Sequence, residues 1–159
     1  MARPLVLTHD YDAPPEAVWR VATDYACLAR AMEGVATFDG MPATGRVTEG
    51  QVLEVKVRLF GRLPPMDYRM EVVACDDAAR TFRSVERGGA VRSWVHELSV
   101  DPLGTGARLT DRVTVDAGPM TPLMRLWARF VYRRRHRPRQ EMLKDGVGHD
   151  HTPATRPAT

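Results

Sequence analysis

The 159-residue sequence predicts one α+β domain: a curved antiparallel sheet of about six to seven strands wrapped around a long C-terminal helix, with two short helices after the first strand. Three observations predict it. An opening segment of period two gives way at once to helical spacing. From Val35 to Asp116 the period is again two, punctuated by glycine turns. From Thr121 onward apolar residues recur at helical spacing. A sheet with one apolar face needs a cover, and the terminal helix is the only element long enough to provide it.

The first strand rests on Leu5, Leu7 and His9, which alternate with Val6, Thr8 and Asp10. Asp12-Ala-Pro-Pro-Glu16 stops it. Asp12 is placed to cap the following helix, Pro14 and Pro15 fit its first turn, and Glu16 suits the positive end of its dipole. Val18, Trp19, Val21 and Ala22 give that helix an apolar side. A second helix, about Tyr25 to Met32, ends at Gly34, where glycine accepts a left-handed backbone.

In the middle of the chain, Leu53, Val55, Val57 and Leu59 alternate with charged residues, as do Met66, Tyr68, Met70 and Val72 after the turn at Gly61 to Pro65. Pairing Leu59 with Met66, Val57 with Tyr68 and Val55 with Met70 makes the two apolar faces coincide. Further strands run from Arg80 to Arg87, Val91 to Val100 and Ala107 to Asp116, joined at Gly88-Gly89 and at Asp101 to Gly106. On the helix opened by Thr121-Pro122, Leu123, Leu126, Trp127, Phe130 and Val131 form an apolar stripe and Arg125, Arg129, Arg133 and Arg137 a basic one. Pro138 is expected to kink or end it. Residues 1–144 read as the domain and 145–159 as a disordered tail. His149 and His151 in that tail lack companions that would complete a metal site.

Composition narrows the function classes. The net charge of +3 is modest, and the arginines between Arg129 and Arg139 are not interleaved with stacking aromatics, so nucleic-acid binding is not expected. Cys27 and Cys75 have no metal-ligand spacing and read as buried thiols of a reducing compartment. No apolar run is long enough for a membrane span, and the N-terminus lacks a secretory pattern, so a cytoplasmic location is expected. There is no GxGxxG after a strand, P-loop, GxSxG or HExxH, and no cofactor or metal is indicated.

The sharpest chemical feature is a pair of ionisable residues on apolar faces. His96 alternates with Trp94, Leu98 and Val100, and Asp111 with Leu109, Val113 and Val115. With Val100 paired to Ala107, Leu98 faces Leu109 and His96 faces Asp111, their β-carbons about 5 Å apart. A carboxylate on such a face needs a partner, and an imidazole supplies one. The pair reads either as a polar anchor or acid/base pair inside a pocket, or as a satisfied pair that fixes sheet register. Val55, Val57, Tyr68 and Met70 of the middle hairpin share the inward direction, and Trp127, Phe130 and Arg134 on the helix are placed to complete a pocket. His9 is inward by alternation, and the parity of Arg83 is ambiguous.

Three stretches carry a family resemblance: Ala13-Pro-Pro-Glu-Ala-Val-Trp19, Trp94-Val-His96, and Gly104-Thr-Gly-Ala-Arg-Leu-Thr-Asp-Arg-Val113, with Arg135-His136 near the helix end. Over roughly residues 3 to 143 the chain resembles the START-like SRPBCC superfamily, which includes polyketide cyclase/dehydrase-like proteins. The resemblance implies a helix-grip fold and a cavity for a small, largely apolar ligand of lipid, polyketide or aromatic type. It does not by itself imply an enzyme. Alternatives are a cyclase/dehydrase-like reaction with His96 and Asp111 as acid and base, and an anionic-surface or protein-interaction module built on the arginine-rich helix.

Overall fold

The computed structural model describes residues 3–149. Strand β1 (Leu5–Tyr11) leads into helices α1 (Pro15–Thr23) and α2 (Tyr25–Ala31). Strands β2 (Ala36–Asp39), β3 (Val52–Leu59), β4 (Met66–Asp76), β5 (Thr81–Gly88), β6 (Val91–Leu103) and β7 (Gly106–Asp116) follow. A single 3-10 turn precedes α3 (Thr121–Arg134) and α4 (His136–Lys144). The seven strands form one antiparallel sheet in the order β1-β7-β6-β5-β4-β3-β2, so only β1 pairs out of chain sequence. This is the helix-grip architecture that the alternation and the terminal helix predict.

The expected faces are right, but two expected registers are off by two residues. Val57 pairs with Met66 and Val55 with Tyr68, because the β3–β4 ladder closes at Val57 and Met66 and leaves Arg58 and Leu59 paired with β2 alone. In the last hairpin Val100 pairs with Leu109 and Leu98 with Asp111, because both strands run on until Leu103 meets Gly106 around a two-residue turn. A shift of two preserves side-chain direction, so the inward set survives. Trp94, His96, Leu98 and Val100 are all buried, as are Leu109, Asp111, Val113 and Val115. Gly88 pairs with Val91 around Gly89 and Ala90. At Gly88, where φ is +147°, a β-carbon would lie 2.3 Å from the Asp67 carbonyl oxygen.

Asp12 does not cap α1, which begins on Pro14 and Pro15 with no side-chain cap. Asp24 caps α2 instead, accepting the Cys27 N–H at 2.8 Å. The terminal helix is interrupted at Arg135, three residues before Pro138. The proline lacks the N–H that would bond the Arg134 carbonyl. Beyond the interruption α4 packs on α1 and α2 and buries Met142 and Leu143. Residues 145–149, expected as the start of a tail, fold back: Val147 packs on that same core and Arg20 donates to the Gly148 carbonyl. His151 lies outside the described residues. Two apolar clusters result, one beneath α1 and α4 and one beneath α3. Cys27 and Cys75 are free thiols.

Candidate functional site

Helix α3 packs chiefly on β1 and β7. The inward residues of β3 to β5 are therefore left without a helix pressed against them. A cavity of about 440 Å³ occupies this space, within the range of small-molecule sites. Its walls are Leu53, Val57, Met66, Tyr68 and Met70 from β3–β4, Phe82 and Trp94 from β5–β6, Leu28 and Met32 at α2, and Met124, Trp127 and Val131 from α3. Methionine and aromatic side chains make such a surface adaptable, since thioether chains rotate easily and rings offer flat faces. Phe60 and Trp127 meet edge to face at 5.7 Å at one part of the wall.

Few polar groups reach this apolar space. His96 lines it, lies edge-on to Tyr132 at 4.8 Å and to Phe82 at 5.0 Å, and places Nε2 2.7 Å from Asp111 Oδ1. Asp111 has no solvent exposure. Burial alone would raise its pKa, but the His96 hydrogen bond and charge, with Arg139 and Arg135, outweigh burial and hold the carboxyl below its ordinary value. An ionised carboxylate only accepts, so Nε2 carries the proton and donates. His96 Nδ1 has no hydrogen-bond partner among the described residues. Glu86 accepts from the Ser84 hydroxyl at 2.7 Å and from the Tyr68 hydroxyl at 2.9 Å. Burial, then the adjacent Glu86 carboxylate, pushes the Tyr68 phenol upward.

A sequence model of the family described as "Polyketide cyclase / dehydrase and lipid transport" matches residues 5–145. The chain belongs to that family. Solved structures share the fold at low identity. Protein CV1439 from Chromobacterium violaceum is 17% identical with a TM-score of 0.68, the match covering 92% of this chain and 99% of that one. Ara h 8.0201 is 11% identical with a TM-score of 0.70, covering 91% and 99%. DynU16, from the dynemicin biosynthetic locus, is 16% identical with a TM-score of 0.61, covering 93% of this chain and 49% of that one. No curated protein sequence matches.

In this member of the polyketide cyclase/dehydrase and lipid transport family, the expected pocket residues divide into three groups. Val57, Tyr68, Met70, Trp94, His96 and Trp127 line the cavity. Val55, Leu98, Leu109 and Val113 are buried in the core clusters and do not line it, and Asp111 reaches it only through His96. Phe130 and Arg134 do not belong to it: Phe130 is 43% exposed and Arg134 points to solvent. The reason is helix phase. The face of α3 turned inward is Met124, Trp127, Val131 and Tyr132, while Leu123, Leu126 and Phe130 lie at its margin or outside.

Sequence reasoning missed Arg135 and Arg139, which line the cavity where the helix is interrupted, and Ser84 and Glu86 on β5. The polar residues of β5 alternate in parity, and only the structure settles it: Ser84 is buried and Arg83 is exposed beside Glu97. The helical spacing of Tyr132, Arg135 and Arg139 was a usable signal, since Arg139 continues the inward face through the interruption. Arg139 is 4% exposed, with Nη1 4.0 Å from Asp111 Oδ2. Behind Asp111, His9 stacks on His136 with ring centres 4.7 Å apart, and Tyr11 lies edge-on to His136 at 4.8 Å. No helix among the described residues is long and apolar enough to cross a membrane.

Proposed function

We propose that this chain binds a small, largely apolar molecule of lipid, polyketide or aromatic type between its sheet and terminal helix. The observation that carries the proposal is the cavity of about 440 Å³ walled by methionine, leucine, valine and aromatic side chains. Filling it with apolar groups removes that surface from water, at about 25 cal/mol for each Å². Native mass spectrometry on protein from its own host tests the reading. A stoichiometric apolar molecule, displaceable by titration with a second one, is the expected result. Protein that arrives empty and takes up no apolar probe at saturating concentration contradicts it.

A second reading, acid/base chemistry on a bound substrate, is favoured by the His96–Asp111 pair. When the ring is neutral, the proton held on Nε2 by Asp111 leaves Nδ1 as the acceptor. In this reading Asp111 positions the ring and His96 removes a proton from a bound ketone-bearing molecule. It predicts that His96→Gln loses turnover but keeps ligand affinity. Unchanged turnover in His96→Gln excludes it.

A further inference from the structure

We infer that the ligand of this cavity is an amphipathic acid, whose anionic group is received by Arg135 with Arg139 beside it. This rests on the apolar-ligand reading above and adds the chemistry of one end of the ligand.

Arg135 lines the cavity at the interruption between α3 and α4. Its guanidinium lies over the Tyr132 ring, 4.5 Å from the centroid, and its Nε faces the Met32 sulfur at 3.2 Å. Both are weak partners for a full charge. Among the described residues no carboxylate lies at ion-pair distance from Arg135. Other arginines differ: Arg108 grips Asp10 through two bonds, Arg69 reaches Glu54, and Arg80 reaches Glu16. Those pairs are on the surface, where a missing partner costs little. Arg135 keeps its charge against an aromatic and a thioether instead.

Arg139 lies one helical turn on and is more thoroughly enclosed. Its Nη1 is buried and without a hydrogen-bond acceptor, and its nearest carboxylate oxygen, Asp111 Oδ2, is 4.0 Å away. Arg135, at the interruption, and Arg139, four residues on in α4, both stand on the cavity wall; Arg135 has no carboxylate partner, and Arg139 meets Asp111 only at 4.0 Å with Nη1 left without a hydrogen-bond acceptor. A ligand carbonyl would supply an acceptor but leave the Arg135 charge uncompensated in apolar surroundings. A carboxylate or similar acid supplies both, and its bonds to guanidinium are about twice as strong as neutral ones.

The cavity also holds Glu86, which opposes an anion, so the acid end must be placed away from it. The two Glu86 oxygens are already engaged by Ser84 and Tyr68, and neither arginine forms an ion pair with it. The acceptor deficit is at the helix interruption, and the methionine and aromatic wall of β3–β4 is left for the apolar body. The polar arrangement thus orients the ligand.

Three probes of one chain length test this: dodecanoic acid, 1-dodecanol and methyl dodecanoate, titrated into the whole protein at pH 8. The acid is expected to bind about tenfold or more tightly than the alcohol or ester. In Arg135→Met that preference falls to near one while alcohol affinity is kept, which also certifies the variant's fold. Arg135→Gln, which keeps donors but not charge, is expected to lose most of the preference too. Equal affinity for acid and alcohol in the natural protein, or an acid preference undiminished in both variants, overturns the inference and leaves the apolar cavity intact. Failure of all three probes to bind contradicts the cavity reading itself, and the acid end with it.

Discussion

His96 and Asp111 meet across a diagonal of the β6–β7 ladder. His96 pairs in register with Val113 and Asp111 with Leu98, yet Nε2 and Oδ1 are 2.7 Å apart. Diagonal neighbours on one face of a sheet are farther apart at the β-carbon than direct partners, but a long side chain such as histidine spans the gap. The ring so extended also reaches Tyr132 on α3 and the cavity wall.

The pair is energetically coupled. Replacing Asp111 by Ala is expected to cost about 3 kcal/mol or more, because His96 and Arg139 lose a buried carboxylate. His96→Ala leaves Asp111 buried beside Arg139 alone and costs a similar amount. In denaturant unfolding the double variant is expected to fall short of the sum by about 1–3 kcal/mol. Strict additivity would show that the two side chains do not support each other.

Acidification destabilises the fold through a second pair. Burial lowers the pKa of His9, with Arg139 and Arg133 adding to the effect and Asp111 and Asp10 opposing it. Burial, His9 and Arg139 lower that of His136, with Asp10 opposing. Both then lie below the ordinary 6.5, so the unfolded chain binds protons more readily than the folded one. Stability is therefore full above about pH 6.5 and is lost as pH falls toward the folded values. The depressed Asp111 carboxyl adds its own loss only in strong acid, below 3.8. Urea midpoints between pH 8 and 5 are expected to decline, and to decline less in a His9→Gln, His136→Gln variant. A flat profile, or an identical decline in that variant, contradicts this.

Gly88 is required by space. Its β-carbon would strike the Asp67 carbonyl oxygen and come within 2.7 Å of the Tyr68 α-carbon, both backbone atoms that cannot swing aside. Gly88→Ala is expected to lose about 1–3 kcal/mol, with the added strain of a positive φ. The exposed Gly61, which meets nothing within 4 Å, is the control and should lose less. Equal losses at both would remove the steric argument.

What the sequence made legible follows from period. Two-residue alternation placed Val57, Tyr68, Met70, Trp94 and His96 on the cavity side, because a strand has only two faces. The same alternation could not fix register, since a slip of two leaves every face unchanged: the β3–β4 ladder closes already at Val57 and Met66, while β6 runs through Pro102 to Leu103 inside the stretch expected to be a turn. On the helix the error was rotational. Leu126 and Phe130 are apolar but exposed, whereas Arg135 and Arg139 are charged but line the cavity, so reading the most apolar stripe as the inner one displaced the site. The resemblance in the A-P-P-E-A-V-W and W-V-H stretches carried the fold, while the cavity's polar end depends on a helix interruption at Arg135 that no motif marks.

Occupying the cavity from within is the most direct test. Met70 lies on its wall and is only partly buried in the core, so Met70→Trp adds bulk where there is free space. Saturable one-to-one binding of an apolar probe by the natural protein, and about a tenfold or greater loss in Met70→Trp at unchanged thermal stability, is the result expected. Equal binding by both proteins would mean that the probe sits elsewhere and that this space holds no ligand.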